Sequence, residues 1–293
     1  MMERITKRGY GKINLHLDIT GRMPDGYHCV ETVMQSVSLY DEVTLTPRRE
    51  PFFDASCNVA GVPTDEKNLV VRAALLFREQ VPCDFGAHIA IEKSIPMAAG
   101  MAGGSADAAA VLLGMNELCG SPLTTEQLCA LGSRLGADVP FCVVGGTAFA
   151  DGRGDVLHPL PPMPSCHLVI ACAGEGVSTP WAYGLLDQLH GNFEAGCGYH
   201  PKETEPLIDA LRTGDLSTVS SSLYNIFEEP VLTQRPVAAS IKALLLANGA
   251  MGAMMSGSGP SVFGIFDVVE TATAASDVLK AEGYQPYLCT PKA

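Results

Sequence analysis

The sequence predicts an α+β protein of two domains, and three observations carry that expectation. Residues 10–19, YGKINLHLDI, alternate apolar and polar with the period of a half-buried strand, whereas residues 68–79 place Leu69, Val70, Ala73, Ala74 and Phe77 at helical spacing. Both kinds of segment recur along the chain, and such a mixture argues for two α+β units. With 293 residues the chain exceeds the usual size of one compact domain, and HPLPPMP at residues 158–164 is its most linker-like stretch. The expected domains are therefore 1–162 and 163–293.

Within the first strand, Ile13, Leu15, Leu17 and Ile19 point one way and Lys12, Asn14, His16 and Asp18 the other. His16 and Asp18 read as a solvated face, while Lys12 and Asn14 stay open as functional candidates. GRMPDGYH, residues 21–28, reads as a loop; residues 33–46 and 88–92 read as further strands, with the helix of residues 68–79 between them. A small-residue loop follows Pro96 and leads into an apolar helix over residues 105–118. A helix over residues 125–135 has Thr124 or Thr125 as its cap and Gly136 at its end. Residues 141–144, 147–150 and 168–172 look like strands. Beyond the linker, helices are expected at 178–190, 204–223 and 236–247, and strands at 261–266 and 284–288. The uncharged run 243–266 is long enough for a bilayer, but Gly257, Gly259 and Pro260 interrupt it, so it reads as a buried helix, loop and strand.

Composition narrows the function. Apolar residues make up 47% and charged residues 17%, as in an ordinary globular protein. With 32 acidic against 19 basic residues the formal charge is −13, which disfavours nucleic acid as a partner and requires any anionic ligand to be held locally. Ten scattered cysteines without C-x-x-C spacing read as reduced and mostly buried in a cytosolic protein, and the seven histidines show no H-E-x-x-H. No apolar stretch follows the basic N-terminal residues, so no secretory signal and no membrane partner are expected, and the location is taken as cytoplasmic.

The strongest local signal is the run Pro96, Met97, Ala98, Ala99, Gly100, Met101, Ala102, Gly103, Gly104, Ser105, Ala106. Small residues let the backbone approach a ligand closely, successive N–H groups can converge on phosphate oxygens, and the following helix adds its free amides and positive dipole end. The run is neither G-x-x-x-x-G-K-[ST] nor G-x-G-x-x-G. Its alternative reading is a tightly packed turn with Ser105 as helix cap and Asp107 as a first-turn acid. Asp138, just after a Gly-terminated helix and beside an apolar run, reads either as a turn cap or as a carboxylate at a cleft wall. The pairs Asp41-Glu42 and Glu228-Glu229 read as solvated charges.

The Pro96 run resembles the phosphate loop of the GHMP kinase superfamily, P-x-x-x-G-L-G-S-S-A-A, with Met101 and Ala102 standing where Leu and Gly are commoner. KINLHLDITGRMPDGYH near the N-terminus, LGADVPF at 135–141 and MSGSGPSVFG at 255–264 resemble further segments of that superfamily in the proper order. Asp-Gly-Tyr-His after Lys-x-Asn-Leu is similar to a branch whose alcohol substrate carries a cytidine. The resemblance implies a ribosomal-S5-like N-terminal domain, a ferredoxin-like C-terminal domain, and transfer of the ATP γ-phosphoryl group with Mg²⁺ to a small cytidine-containing alcohol. It implies Lys12 and Asp138 as catalytic residues, Asn68, Lys93 and the residues Pro96 to Ala106 around ATP, and Ser105 as a Mg²⁺ ligand. It also implies Asn14, Tyr27, His28, Thr179 and Tyr183 around the alcohol, with Trp181 an alternative to Tyr183 for stacking on cytosine. A member of the superfamily acting on mevalonate or homoserine, which DGYH argues against, and a catalytically silent metabolite sensor are the competing expectations.

Overall fold

The computed structural model describes residues 3–174, 176–194 and 197–293. In chain order the elements are β1 (Ile5–Arg22), β2 (His28–Arg48), β3 (Phe53–Cys57), α1 (Leu69–Gln80), β4 (Gly86–Glu92), α2 (Gly103–Leu118), α3 (Thr125–Ser133), α4 (Val139–Val144), β5 (Thr147–Asp151), β6 (Val156–Pro159) and β7 (His167–Cys172). There follow α5 (Thr179–Leu189), α6 (Glu205–Thr213), α7 (Leu216–Ser221), β8 (Tyr224–Asn225), α8 (Glu228–Gln234), α9 (Pro236–Ala247), β9 (Gly252–Met255), β10 (Ser261–Phe266), α10 (Val269–Ala281) and β11 (Pro286–Cys289). Two compact units interleave along this order. One comprises the chain up to Gly11, Leu39–Pro96 and Ala102–Gly145; the other comprises Lys12–Ser38, Met97–Met101 and Gly146–Ala293. A cut near residue 162 would fall inside the second unit, because β1 and β2 each contribute to both.

In the first unit β3 runs parallel to β4, and β4 pairs antiparallel with Glu42–Arg48 of β2. Val43, Leu45, Ile89 and Ile91 from these strands join Val71, Phe77, Val111 and Met115 from α1 and α2 in one buried cluster. Helix α2 is buried on nearly all sides, as its alanine-rich sequence demands, and at Gly114 a Cβ would lie 2.8 Å from Leu45 Cδ1, so a larger residue would make the Leu45 side chain shift.

In the second unit Thr32–Gln35 of β2 pair with β5, β5 pairs with β6, and β1 runs parallel to β8 at His16 and Leu17. A separate antiparallel sheet has the order β11-β7-β10-β9. Its apolar side, with Val169, Ala171, Val262 and Met255, packs on Ile241 and Leu245 of α9 and on Ala272 and Leu279 of α10 in a second core.

Several expectations need correction. Residues 141–144 belong to helix α4, not to a strand; Pro140 sits in its first turn and Gly145, with φ of +72°, ends it. The helix expected over 204–223 is two helices. Gly214 takes a left-handed conformation after α6, and the Asp215 carboxylate accepts from the Ser217 and Thr218 amides to cap α7. The loop expected at 21–28 shrinks to a turn, since β1 runs on to Arg22 and β2 begins at His28. Within the expected linker lies the end of β6. His16 and Asp18 are buried, not solvated. Of the ten free cysteines only Cys166 and Cys289 are fully buried, and Cys197 is exposed. Among the described residues no helix is long and apolar enough to cross a membrane.

Candidate active site

The glycine- and alanine-rich loop departs from ordinary backbone geometry. Ala98, Gly100 and Ala102 have φ of +50°, +74° and +56°. Alternating left-handed residues with ordinary ones turns successive N–H groups to one side, the geometry of an anion-binding nest, and two alanines held there store strain typical of functional sites. Ala102 is the N-cap of α2, so the helix starts at Gly103, two residues before Ser105. Ser105 is thus not the cap; it lies half-buried in the first turn beside Gly104, whose missing side chain leaves open space.

Within the second unit this loop touches two other segments that the sequence singles out. The Lys12 amide donates to Met101 O at 3.1 Å, Ser256 Oγ donates to Gly100 O at 2.9 Å, and the Ser261 amide donates to Ala99 O at 3.3 Å. The approach is close enough to require glycine: a Cβ on Gly100 would lie 2.1 Å from Ser256 O, and one on Gly257 would lie 3.0 Å from Gly100 O and 3.5 Å from Lys12 Nζ. Lys12 is buried and its ammonium donates to Asn14 Oδ1 at 2.7 Å, while Asn14 Nδ2 donates to Thr32 Oγ1 at 2.8 Å. Asn225, missing from the sequence-based expectations, donates through Nδ2 to Met255 O and Gly257 O and so pins the C-terminal glycine segment.

In the first unit Asp138 occupies the N-cap position of α4 but in helical φ/ψ, and its carboxylate makes no capping bond to that helix. Asn68 caps α1: Oδ1 accepts from the Val70 amide at 3.1 Å and Nδ2 donates to Pro63 O at 2.7 Å, so both ends of its amide serve the backbone.

Lys93 is buried between two carboxylates, with Nζ 2.5 Å from Asp41 and 2.8 Å from Asp107. Asp41, expected to be solvated, is fully buried and also accepts from the Ser94 and Ile95 amides at 2.6 and 2.8 Å. Burial alone would pull the Lys93 pKa down, but Asp107 and Asp41 outweigh it and hold it above the ordinary lysine value. The cluster carries an excess of negative charge. Burial pushes the pKa of Asp107, whose Oδ1 has no partner, up to about 7. Glu228 is likewise engaged, bonding Lys242 at 2.6 Å and the Met255 amide at 2.9 Å; its neighbour Glu229 is exposed as expected.

A cavity of about 390 Å³ in the second unit is lined by Tyr27, His28, Arg153, Thr179 and Tyr183, among others. Tyr27 is 59% exposed, with the Arg153 guanidinium 4.1 Å over its ring. The His28 and Tyr183 rings stack at 4.6 Å and 32°. Of the two aromatic candidates Tyr183 lines the cavity, whereas Trp181 lies under Arg235. Thr179 Oγ1 is 3.1 Å from Ser258 Oγ of the glycine segment. The sequence reading missed Arg153, Asp187 and Arg22. His28 Nε2 is 2.8 Å from Asp187 Oδ1, and Arg22 lies 2.6 Å from Asp187 Oδ2. The available signal was spacing: Tyr183 and Asp187 are i and i+4 on α5 and so share a face.

The family model for the GHMP kinases N terminal domain matches residues 68–146, and the model for the GHMP kinases C terminal matches residues 207–285. The chain belongs to the GHMP kinases. It is 42% identical over 274 residues to a 4-diphosphocytidyl-2-C-methyl-D-erythritol kinase of Lachnoclostridium phytofermentans, covering 94% of this chain and 92% of that protein. It is 43% identical over 291 residues to the kinase of the same name from Gloeobacter violaceus, covering 98% and 94%. A crystal structure of a 4-(cytidine 5'-diphospho)-2C-methyl-D-erythritol kinase superposes with a TM-score of 0.82 at 31% identity, covering 99% of this chain and all of that one. A crystal structure of L. major mevalonate kinase shares the fold alone, with a TM-score of 0.74 at 19% identity, covering all of both chains. The expected two-domain GHMP kinase fold of mixed α and β content is therefore the fold of this chain.

Proposed function

We propose that this GHMP kinase transfers the γ-phosphoryl group of ATP to the 2-hydroxyl of 4-diphosphocytidyl-2-C-methyl-D-erythritol, in the cytoplasm, on the non-mevalonate route to isoprenoid precursors. The observation that carries this reading is the cavity in which Tyr27, His28 and Tyr183 of the second unit converge. Two aromatic rings and an imidazole suit a pyrimidine, which offers a stacking face and hydrogen-bonding edges. Thr179 borders the same cavity. Mevalonate and homoserine have no such base, so a site built for them has no use for these rings.

Phosphoryl transfer depends on positioning and charge neutralisation more than on covalent help. The amides of the loop from Pro96 to Ala106 hold the triphosphate, with the start of α2 adding its dipole. Asp138 takes the hydroxyl proton, and Lys12 steadies the negative charge, oriented through Asn14. Asn68 acts at the adenosine end by shaping backbone, since both ends of its amide bond the chain, and Lys93 does so through Asp41, whose other oxygen accepts from the Ser94 and Ile95 amides.

Mg²⁺ usually keeps several waters and binds through one or two protein groups plus phosphate oxygens. The residues fit that mode: Ser105, half-buried in the first turn of α2, supplies one hydroxyl, and its neighbour Gly104 has nothing within 4 Å of a Cβ. When bound, the ion supplies charge neutralisation on the triphosphate. A coupled ADP-release assay with the cytidine-linked alcohol beside mevalonate and homoserine tests the proposal. Turnover confined to the cytidine-linked alcohol is the expected result, and turnover confined to either rival overturns it.

A further inference from the structure

We infer that Asp187 is a positioning residue that fixes the tautomer of His28, and thereby selects an aminopyrimidine over an oxopyrimidine in the Tyr27–Tyr183 cavity. The inference rests on the cytosine reading of that cavity proposed above. It begins with the covalent arrangement of α5, where Tyr183 and Asp187 lie one turn apart and meet the same imidazole by different means. Tyr183 stacks on the ring, and Phe193 meets it edge-on at 5.7 Å, so the ring plane is fixed. Asp187 Oδ1 then takes Nε2 at 2.8 Å.

A carboxylate only accepts, so Nε2 must carry the proton. The second carboxylate oxygen is matched by Arg22 at 2.6 Å, and Arg22 also donates to Gly26 O at 2.8 Å and Asn192 O at 2.7 Å. The negative charge of Asp187 is therefore already balanced by a guanidinium, which removes the need for a second cation beside it. Among the described residues no hydrogen bond is made to His28 Nδ1, which is left as an acceptor on a side chain lining the cavity.

Cytosine presents an exocyclic amine at C4, whereas uracil presents a carbonyl oxygen there. An acceptor nitrogen pairs with the amine and faces the carbonyl lone pair for lone pair. A ring nitrogen held by the partner of its other nitrogen is a familiar way to set histidine chemistry. Arg22 contributes twice, since its bond to Gly26 O also holds the Asp-Gly-Tyr-His turn that carries His28.

The test has two arms on the full-length protein. In the first, long-range proton–nitrogen NMR of ¹⁵N-histidine-labelled protein, assigned by loss of one signal in His28→Gln, reads the tautomer directly. A neutral His28 protonated at Nε2 is expected; protonation at Nδ1, or at both nitrogens, overturns the inference. In the second, kcat/KM is measured for the cytidine-linked alcohol and its uridine analogue. Asp187→Asn, whose amide can accept or donate, should lower kcat/KM for the cytidine compound about tenfold and narrow its preference over the uridine compound by a similar factor. The KM for ATP should not move. An equal loss on both pyrimidines would mean that Asp187 only supports the fold of the pocket, and sinks the inference. Failure of the underlying reading has a different signature: His28→Gln would then leave the kinetics with both pyrimidine compounds unchanged, even with the expected tautomer in the spectrum.

Discussion

His16 lies buried on β1 with its ring 5.5 Å from that of Tyr224 and its Nε2 without a partner, and burial lowers its pKa from 6.5 to about 4. Below pH 6.5 the unfolded chain therefore binds a proton that the folded chain refuses, so stability falls as pH drops to about 4 and levels off beneath it. The full loss is about 3 kcal/mol. His16→Phe should flatten the dependence of urea unfolding free energy on pH across that window; an unchanged slope would assign the loss to other groups. Asp138 makes a kinetic prediction instead. Asp138→Asn removes the proposed proton acceptor and should lower kcat by about 10² to 10⁴ while ATP still binds, measured by steady-state turnover beside equilibrium binding of the nucleotide. Near-normal turnover would remove Asp138 from the mechanism. At this scale a motif placed residues together: Lys12 bonds Asn14, and His28 shares a cavity with Tyr27 and Tyr183. The sequence was opaque where partners are remote: Asp187 lies 159 positions from His28, and Asp41 looked like one of a solvated pair although Lys93 lies 52 positions on. His16 and Asp18 were misread because alternation marks one buried face and says nothing against a second.

The loop from Pro96 and the glycine segment at 255–264 act as one element pair in the second unit, and Gly100 is their point of closest approach. Gly100→Ala would combine a left-handed φ of +74° with a Cβ placed 2.1 Å from Ser256 O, a backbone atom that cannot swing aside. Separation of the two segments should follow, with at least a tenfold fall in kcat/KM for ATP and a thermal midpoint lowered by a few degrees, about 1–2 kcal/mol. Gly214→Ala is the control, since Gly214 shares the left-handed conformation with φ of +73°, lies outside the loop, and has nothing within 4 Å of a Cβ. Equal effects from the two would show that steric approach is not the reason for glycine at 100. Elements with a long periodic pattern, such as the first strand and helix α9, could be read from sequence because many residues agree on one period. The run at 141–144 could not: four apolar residues fit a strand or a helical turn equally well, and only Pro140 and Gly145 at its ends favour the helix. β3, β8 and β9, at two to five residues, owe their existence to pairing with neighbours rather than to any local pattern.

At the scale of the whole molecule, the formal charge of −13 and the proposed anionic substrates oppose each other. The loop answers with neutral groups, backbone amides and a helix dipole, and those act at contact range, whereas the net charge acts over a Debye length of roughly 10 Å at 0.1 M salt. Raising ionic strength therefore screens the repulsion felt by approaching nucleotide more than it weakens the hydrogen bonds of the bound one. The expected result is a KM for Mg²⁺-bound ATP that falls, by about two- to fivefold, as ionic strength rises from about 0.02 to 0.15 M, with kcat nearly constant. This is opposite to the behaviour of a protein that gathers anions with a basic surface, where added salt weakens binding. The measurement is a series of ATP saturation curves at fixed free Mg²⁺ and fixed pH, with ionic strength set by an inert salt and the alcohol saturating. A KM that climbs steadily with salt would mean that a few cations, Lys12 foremost, govern nucleotide capture from a distance. In that case Lys12→Met should abolish the salt dependence. If instead the KM falls as expected, the same substitution should lower kcat while leaving the slope of KM against ionic strength intact, because a buried ammonium bonded to Asn14 contributes little to the field outside the protein.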